Sequence, residues 1–406
     1  MDVATTPTRS PAGHLRILLI LSALMSFASI STDLYLPAIP TLGTELQATS
    51  GNVEWTISAF LVGFSLGQLI WGPLGDRIGR RSPISIGLVL FVAGSVGCAL
   101  SHTLWQMMAW RVLQAVGACA GPVLARAMVR DLYARDQAAR MLSTLITIMG
   151  AAPLVGPLLG GQILQIWSWH AIFWLLAVVG TVSLLSMALL PETLPREGRL
   201  TEPMHRVWKD YFNLARDRRL VRYAASGGFF YAGAYAFIAG TPSVYIDHFG
   251  VSPQAYGLLF GVNIVGIMLA NLLNARFVTR IGSERMFVLG TLVAALSGAT
   301  MAMNAWSGWG GLAGIAVPVF FYMAMNGLIV ANSVAGALAS FPRSAGAASS
   351  LVGAIHYGSG IISAGLVGWL SDGTPWTMGW IIGLSGLGCL FMAFVPTGHP
   401  QITLQS

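Results

Sequence analysis

Apolar residues run along this chain in long, nearly unbroken stretches rather than at the alternating spacing of a half-buried strand. They lie at about Leu15 to Pro37, then at about 52–74, 82–101, 104–126, 140–165, 169–190, 220–244, 254–276, 286–304, 311–335, 346–370 and 376–396. Each is close to the ~20 residues that a helix needs to cross ~30 Å of hydrocarbon, where unpaired backbone groups are not tolerated. A barrel would show alternating strands of about ten residues, so the pattern predicts an all-α membrane protein of twelve spanning helices. The first stretch is too long for a signal-peptide core and lacks a strongly basic lead-in, so it reads as a retained span.

The polar segments between these runs predict orientation. Of the 22 Lys and Arg residues, 21 fall at the N-terminus or in every second connection, and none in the connections between those. Cytoplasmic loops retain positive charge, so both termini are expected inside. One missed or invented span would invert every later loop and scatter the charge. The longest connection, from Pro191 to Arg219, divides the chain into a first half at 1–190, a linker at 191–219 and a second half at 220–406. Within the linker, Met204, Val207, Trp208, Tyr211, Phe212 and Ala215 recur at helical spacing opposite Arg206, Lys209, Asp210 and Arg216. That pattern predicts a helix lying in the inner membrane interface.

Composition narrows the function classes. With 55% hydrophobic and 9% charged residues, the chain cannot be a soluble or disordered domain. The net charge of +7 is a topology signal rather than a nucleic-acid surface. Cys98, Cys119 and Cys389 sit inside apolar runs as small core residues. The spans hold no His, Cys and carboxylate grouping of metal-ligand number and no nucleophile with a base, which argues against an enzyme and against a bound metal. No phosphate loop ending in Gly-Lys-Ser/Thr occurs, so ATP is not the expected energy source. A channel would want rings of like groups. A secondary transporter without cofactor, driven by an ion or proton gradient, remains.

An internal repeat supports that reading. Arg77-Ile78-Gly79 recurs as Arg280-Ile281-Gly282, an offset of 203, at matching places in the topology. Duplicated halves enclosing a central site are the architecture of alternating-access transporters. The sharpest motif is Gly72-Pro73-Leu74-Gly75-Asp76-Arg77-Ile78-Gly79-Arg80-Arg81 between the second and third runs. Its glycines let helix ends approach, and its Asp and Arg residues can form a charged latch or simply fix topology. Asp76 is expected to dock at the start of the eleventh span, near Ala345 and Gly346. In the fifth run, Gly150, Pro153, Gly156, Pro157 and Gly160 combine lost helix hydrogen bonds with small surfaces, predicting a kinked helix at an interface.

Ionisable groups inside spans are expensive, so each needs a reason. Asp33 lies about 24 Å beyond the start of the first span and Arg111 about 10 Å from the far end of the fourth, which places both at similar depth. Asp33 then binds a proton and Arg111 sets its affinity for it, or the two form a buried ion pair joining helices. Among uncharged polar residues, Gln68, Gln114, Asn263, Asn271, Asn326, Asn332 and His356 either bond across helices or face a cavity. Tyr35, Gln114, Phe230, Tyr231, Tyr235 and Asn263 are the candidate walls of a substrate cavity, with Tyr231 and Tyr235 on one helix face.

These motifs resemble the major facilitator superfamily. The Gly72 to Arg81 loop is similar to that family's loop between spans two and three. Trp110-Arg111-Val112-Leu113-Gln114-Ala115-Val116-Gly117 looks like its fourth-span motif with an altered glycine spacing, and the run Gly150 to Gly161 looks like the fifth-span signature of drug antiporters. The stretch Ser31 to Pro40, with Trp169-His170-Ala171-Ile172-Phe173-Trp174 and Pro191-Glu192-Thr193-Leu194, resembles the bicyclomycin and chloramphenicol resistance (Bcr/CflA) group of drug:proton antiporters. The resemblance implies a monomer in a bacterial cytoplasmic membrane that exports small amphipathic or apolar compounds against a proton gradient. It also implies a cytoplasmic charge cluster of Asp76, Arg80 and Asp131.

Overall fold

The computed structural model describes residues 11–48, 52–133, 135–199, 204–341 and 344–396, and every regular element among them is helical. Helix α1 (Pro11–Asp33) ends in a 3-10 turn at Leu36–Ala38 and continues as the short α2 (Ile39–Glu45). Then come α3 (Trp55–Ile78), α4 (Arg81–Ala99), α5 (Leu104–Leu132), α6 (Arg135–Ile166) and α7 (Trp169–Ser186). The linker carries α8 (Met204–Leu214). The second half holds α9 (Arg218–Pro242), a π-helical turn at Ser243–His248, α10 (Pro253–Ile281) and α11 (Ser283–Ser307). It closes with α12 (Gly311–Ala324), α13 (Asn326–Leu338), α14 (Ala345–Trp369) and α15 (Trp376–Phe394).

Eleven helical segments among the described residues are long and apolar enough to cross a membrane, with α1 through α2 and α12 through α13 each counting as one. The chain is thus a multi-pass membrane protein. Helix α9 stands apart from the eleven because Arg218, Arg219 and Arg222 open it and Ser, Gly and Tyr fill its centre. It has 25 residues and packs against α13, α14 and α15. Of the basic residues used for topology, Arg9 and Arg343 lie outside the described residues.

Local sequence explains where helices start and stop. Thr103, Asp217 and Ser252 accept backbone N–H groups of Gln106, Leu220 and Ala255 at the starts of α5, α9 and α10. Gly79 and Gly282 end α3 and α10 with φ of 96° and 92°, the left-handed region where a side chain is strained. The repeat found in the sequence is therefore a repeat of backbone conformation.

Two seams join the halves. Along α3, residues Ser58, Leu61, Ser65, Gln68 and Gly72 form a stripe that meets Gly365, Gly360, Ala354, Gly353 and Ser350 of the antiparallel α14. The Ser65 hydroxyl donates to the Ala354 carbonyl across this seam at 3.0 Å. The second seam runs between α6 and α10, where a Cβ on Gly161 would sit 3.0 Å from the Pro253 carbonyl oxygen. Helix α8 does more than rest on lipid. Its Trp208 and Phe212 are exposed, whereas Tyr211 and Leu214 are buried, and the Tyr211 hydroxyl donates to the Leu69 carbonyl of α3 at 3.4 Å. The side chains of Met204, Arg206 and Val207 lie outside the described residues.

Candidate functional site

Asp33 is the last residue of α1, and the chain breaks there because Pro37 cannot extend the helix. The final carbonyls of a helix have no partner within it. The Ser31 and Thr32 hydroxyls turn back onto the Phe27 and Ala28 carbonyls, and the free Ser31 carbonyl accepts Nη1 of Arg111 at 2.9 Å. Arg111 thus caps the C-terminal end of α1, where a cation also meets the negative end of the helix dipole. The expected Asp33–Arg111 ion pair is not formed. Arg111 instead gives Nη1 to Gln114 at 2.7 Å, and its guanidinium lies 4.3 Å and 4.4 Å from the rings of Tyr35 and Phe60. Its Nε and Nη2 have no hydrogen-bond partner. The rings hold the cation away from the carboxylate, and the Ser31 carbonyl satisfies the one nitrogen that reaches the break.

Asp33 is buried, and the bond it receives is from the adjacent Thr32 hydroxyl at 3.2 Å. It lies within electrostatic reach of Tyr235, Tyr256 and Tyr357, all of the second half. The glycines of α6 make room for this break. A Cβ on Gly156 would lie 3.0 Å from the Asp33 Cβ, and one on Gly160 would lie 1.9 Å from the Leu34 carbonyl oxygen. Pro153 and Pro157 sit inside α6 without terminating it, and nothing lies within 4 Å of a Cβ on Gly150. We therefore expect Gly160→Ala to force the break apart at a cost of about 1–3 kcal/mol, the usual range for overpacking. Gly150→Ala should leave thermal unfolding unchanged, and equal melting of the two variants would remove the packing role of Gly160.

The cavity candidates divide. Tyr35 and Gln114 are fully buried in the first half, with Tyr35 sharing a hydrogen bond with Thr56 at 3.1 Å and Gln114 donating to Ser95 at 2.8 Å. Phe230 is stacked on Tyr322 inside the second half at 5.2 Å. These three are drawn into the cores of their own halves because each finds a partner there. Tyr231 and Tyr235 form, with Tyr357 of α14, an aromatic group that Phe64 of α3 joins from the other half, 4.5 Å from Tyr357. His356 stacks on Tyr231 at 4.8 Å and leaves Nε2 unpartnered, as does Oδ1 of the buried Asn263. The aromatic group that joins the halves is thus Phe64, Tyr231, Tyr235 and Tyr357, with His356 stacked on Tyr231 and Asp33 within electrostatic reach of Tyr235 and Tyr357.

At the arginine-rich end the predicted charge cluster is present. Arg80 gives Nη1 to Asp76 at 2.5 Å and Nε to Asp131 at 2.9 Å. Asp76 is engaged within its own half rather than with the start of α14, because Arg80 follows it by one turn. The side chain of Ala345 lies outside the described residues, and nothing lies within 4 Å of a Cβ on Gly346. The approach to α14 falls to Gly72, 3.5 Å from the Ser350 hydroxyl. Arg77 is half-buried at the end of α3.

Sequence reasoning gave Glu192 no role of its own. It accepts the backbone N–H groups of Arg80 at 2.8 Å, Arg81 at 3.1 Å, Thr193 at 2.9 Å and Leu194 at 3.0 Å. Partial burial pushes its carboxyl up, but these four bonds outweigh that and hold it below the usual carboxylate range. A carboxylate there caps α4, whose own N-cap residue Arg80 offers no acceptor. A Cβ on Gly79 would lie 2.6 Å from Glu192 Oε2, so glycine is needed for space as well as for φ. In the second half, Ser283 stands 203 residues after Arg80, and a neutral chain replaces the ionic one. Ser283 donates to Asn332 at 2.7 Å, and Asn332 to Asn274 at 2.8 Å.

Repeated helical halves, a broken first helix carrying a buried carboxylate and an ionic lock after the second span define an alternating-access carrier. The chain belongs to the Major Facilitator Superfamily, whose family model matches residues 19–243 and again 223–406. It is 35% identical over 381 residues to the uncharacterized MFS-type transporter YdgK of Bacillus subtilis, covering 92% of this chain and 94% of that one. It is 31% identical to a bicyclomycin resistance protein homolog of Haemophilus influenzae, covering 92% and 95%, and 29% identical to multidrug resistance protein D of Escherichia coli, covering 92% and 94%. Among these relatives the resemblance to the Bcr/CflA group read from the motifs stands. The xylose transporter XylE of Escherichia coli, in a partially occluded inward-open conformation, has the same fold, with a TM-score of 0.76 at 17% identity over 95% of this chain and 99% of that one.

Proposed function

We propose that this protein is a proton-coupled antiporter that expels small amphipathic or apolar drug-like compounds by alternating access. It would sit as a monomer in a bacterial cytoplasmic membrane, with twelve spans, both termini inside and no cofactor. The likeness to proteins named for bicyclomycin, chloramphenicol and multidrug resistance supports the cargo class. Segregation of 21 of 22 basic residues supports the orientation, with α9 taken as the seventh of the twelve spans. The observation that carries the coupling is Asp33, buried at a helix break, within electrostatic reach of tyrosines of the other half and without an ion pair to Arg111. A buried carboxylate of this kind is stable when neutral and costly when charged, so its proton occupancy must follow the access of water to the break. Phe64, Tyr231, Tyr235 and Tyr357 offer flat apolar faces beside it, suited to aromatic or cationic amphiphiles.

Everted vesicles with an acidic interior test the proposal. A fluorescent or radiolabelled panel of amphiphilic drugs should accumulate inside, and dissipating the pH gradient should release it. Accumulation driven by the opposite gradient would replace the antiporter with a proton-coupled symporter of nutrients.

A further inference from the structure

A second carboxylate, Glu54, lies at the end of the bundle away from the arginine-rich loops. It immediately precedes α3 and is 2% exposed, so its place at the edge of an apolar run conceals its burial. Its Oε1 accepts the Ser243 hydroxyl at 2.7 Å. Ser243 follows α9 in the second half, so this bond crosses between the halves. The other carboxyl oxygen, Oε2, is buried without a partner. One turn further along α3, the Ser58 hydroxyl is also buried and unpartnered, 3.7 Å from the Cβ position of Gly365. A small cavity opens beside Glu54, lined by Gly240, Ser243, Val367, Thr374 and Thr377 among others. Two orphaned polar atoms on one helix face mark a seam that hydrogen-bonds poorly when closed and would gain water on opening.

Among the described residues, no Lys or Arg lines the cavity beside Glu54. The π-helical turn after α9 brings Asp247 and His248, the latter within hydrogen-bonding distance of the Gly373 carbonyl at 3.0 Å. The connection between α14 and α15 brings Asp372, which accepts from Thr374 at 2.7 Å. On α2, Glu45 accepts the Trp169 indole N–H at 2.7 Å. Arg111 is held over Tyr35 and Phe60 at the break of α1. An ionised Glu54 in the closed seam would be a buried charge repelled by the nearby Asp247.

We propose that Glu54 is a proton-operated latch of the extracellular gate: its neutral form closes the seam between α3 and the α9–α14 face, and its ionisation opens it. Only the word extracellular rests on the orientation proposed above. Burial raises the Glu54 carboxyl above its ordinary range in the closed form, with the nearby Asp247 adding to the effect and the Ser243 bond opposing it. The closed state thus keeps its proton to higher pH than the open state. Its advantage is full in acid and is lost as pH climbs through the closed-state value. An external proton captured here would favour closure of the outer gate.

The test is labelling of a Val367→Cys reporter, a position 4% exposed in the closed seam, by a membrane-impermeant maleimide in the full-length protein. Cys98, Cys119 and Cys389 are buried, and protein lacking the reporter gives the background. Dividing the rate in the wild-type background by that in Glu54→Gln at the same pH cancels the thiol's own titration. The ratio should stand near one in acid and rise by about tenfold in mild alkali, the equivalent of about 1.4 kcal/mol of preference. A ratio flat with pH would overturn the latch. Ser243→Ala provides an arm that leaves the carboxyl in place: it should speed labelling in acid, and unchanged labelling there would also overturn the proposal. The same pH-dependent ratio with reagent on the opposite side only would support the latch and reverse the orientation alone.

Discussion

Replacing Asp33 by Asn is expected to reduce pH-driven efflux to that of vesicles lacking the protein, while expression, folding and drug binding persist. Asn has the size of the protonated acid and keeps the Thr32 hydroxyl bond, so the break at the end of α1 and its fit against Gly156 are preserved. What it loses is the ability to carry a proton between the two access states. Binding measured by equilibrium dialysis should lose its pH dependence along with the transport. Arg111→Ala should fail differently. It strips the cap from the Ser31 carbonyl and a bond from Gln114, and hydrogen bonds to charged groups contribute about 1.5–3 kcal/mol each. It should therefore lower the melting temperature, which Asp33→Asn should not. Exchange of one proton for a neutral drug moves net charge, so wild-type efflux should respond to membrane potential as well as to pH. Undiminished pH-driven efflux by Asp33→Asn would remove Asp33 as the carrier and turn attention to Glu54 and His356.

The sequence revealed the parts of this molecule that depend on composition and failed on those that depend on direction. Eleven of the twelve apolar runs reappear as candidate spans; the run at α9 forms a helix whose glycines, tyrosines and opening arginines lower its hydropathy. Asp33 and Arg111 were recognisable because charge within a span is rare. Their failure to pair was not, because it turns on which carbonyls the α1 break leaves open and which rings surround the guanidinium. Glu54 was hidden by its position at the edge of a run, where a charge is normally solvated; only packing across the seam buries it. Glu192 had an available signal. Helix α4 begins Gly-Arg-Arg-Ser-Pro with no capping side chain in place, so its free N–H groups had to be met from elsewhere. The Ser283, Asn332 and Asn274 chain takes the place of the Arg80 links in the second half, next to an ion pair of Arg222 with Glu284.

The ionic corner itself should respond very unequally to its members. The Arg80 side chain is 8% exposed and engages both Asp76 and Asp131, while Asp76 is 41% exposed and Asp131 19%. Arg80→Ala would leave Asp131 and Asp76 facing each other without a cation, beside Glu192 on the neighbouring backbone. Hydrogen bonds to charged groups contribute about 1.5–3 kcal/mol each, and Arg80→Ala removes two of them at once. Asp76→Asn removes only the exposed partner and keeps an acceptor for Arg80, so its cost should stay within the ~0–1 kcal/mol of surface pairs. Thermal unfolding in detergent should therefore separate the two variants clearly, with Arg80→Ala melting far lower. Transport should follow in milder form, because the corner fixes α3, α4 and α5 as one rigid unit that must move together during alternating access. Glu192→Gln should fall between them, since it weakens the cap on α4 while leaving the Arg80 ion pairs intact. Its acid dependence has a definite sign: with its carboxyl held below the ordinary range, Glu192 stabilises the fold above the unfolded-state value and loses that contribution as pH falls through the folded-state value. If Asp76→Asn and Arg80→Ala melted together, the corner would be a solvated charge cluster with no part in holding the first half together.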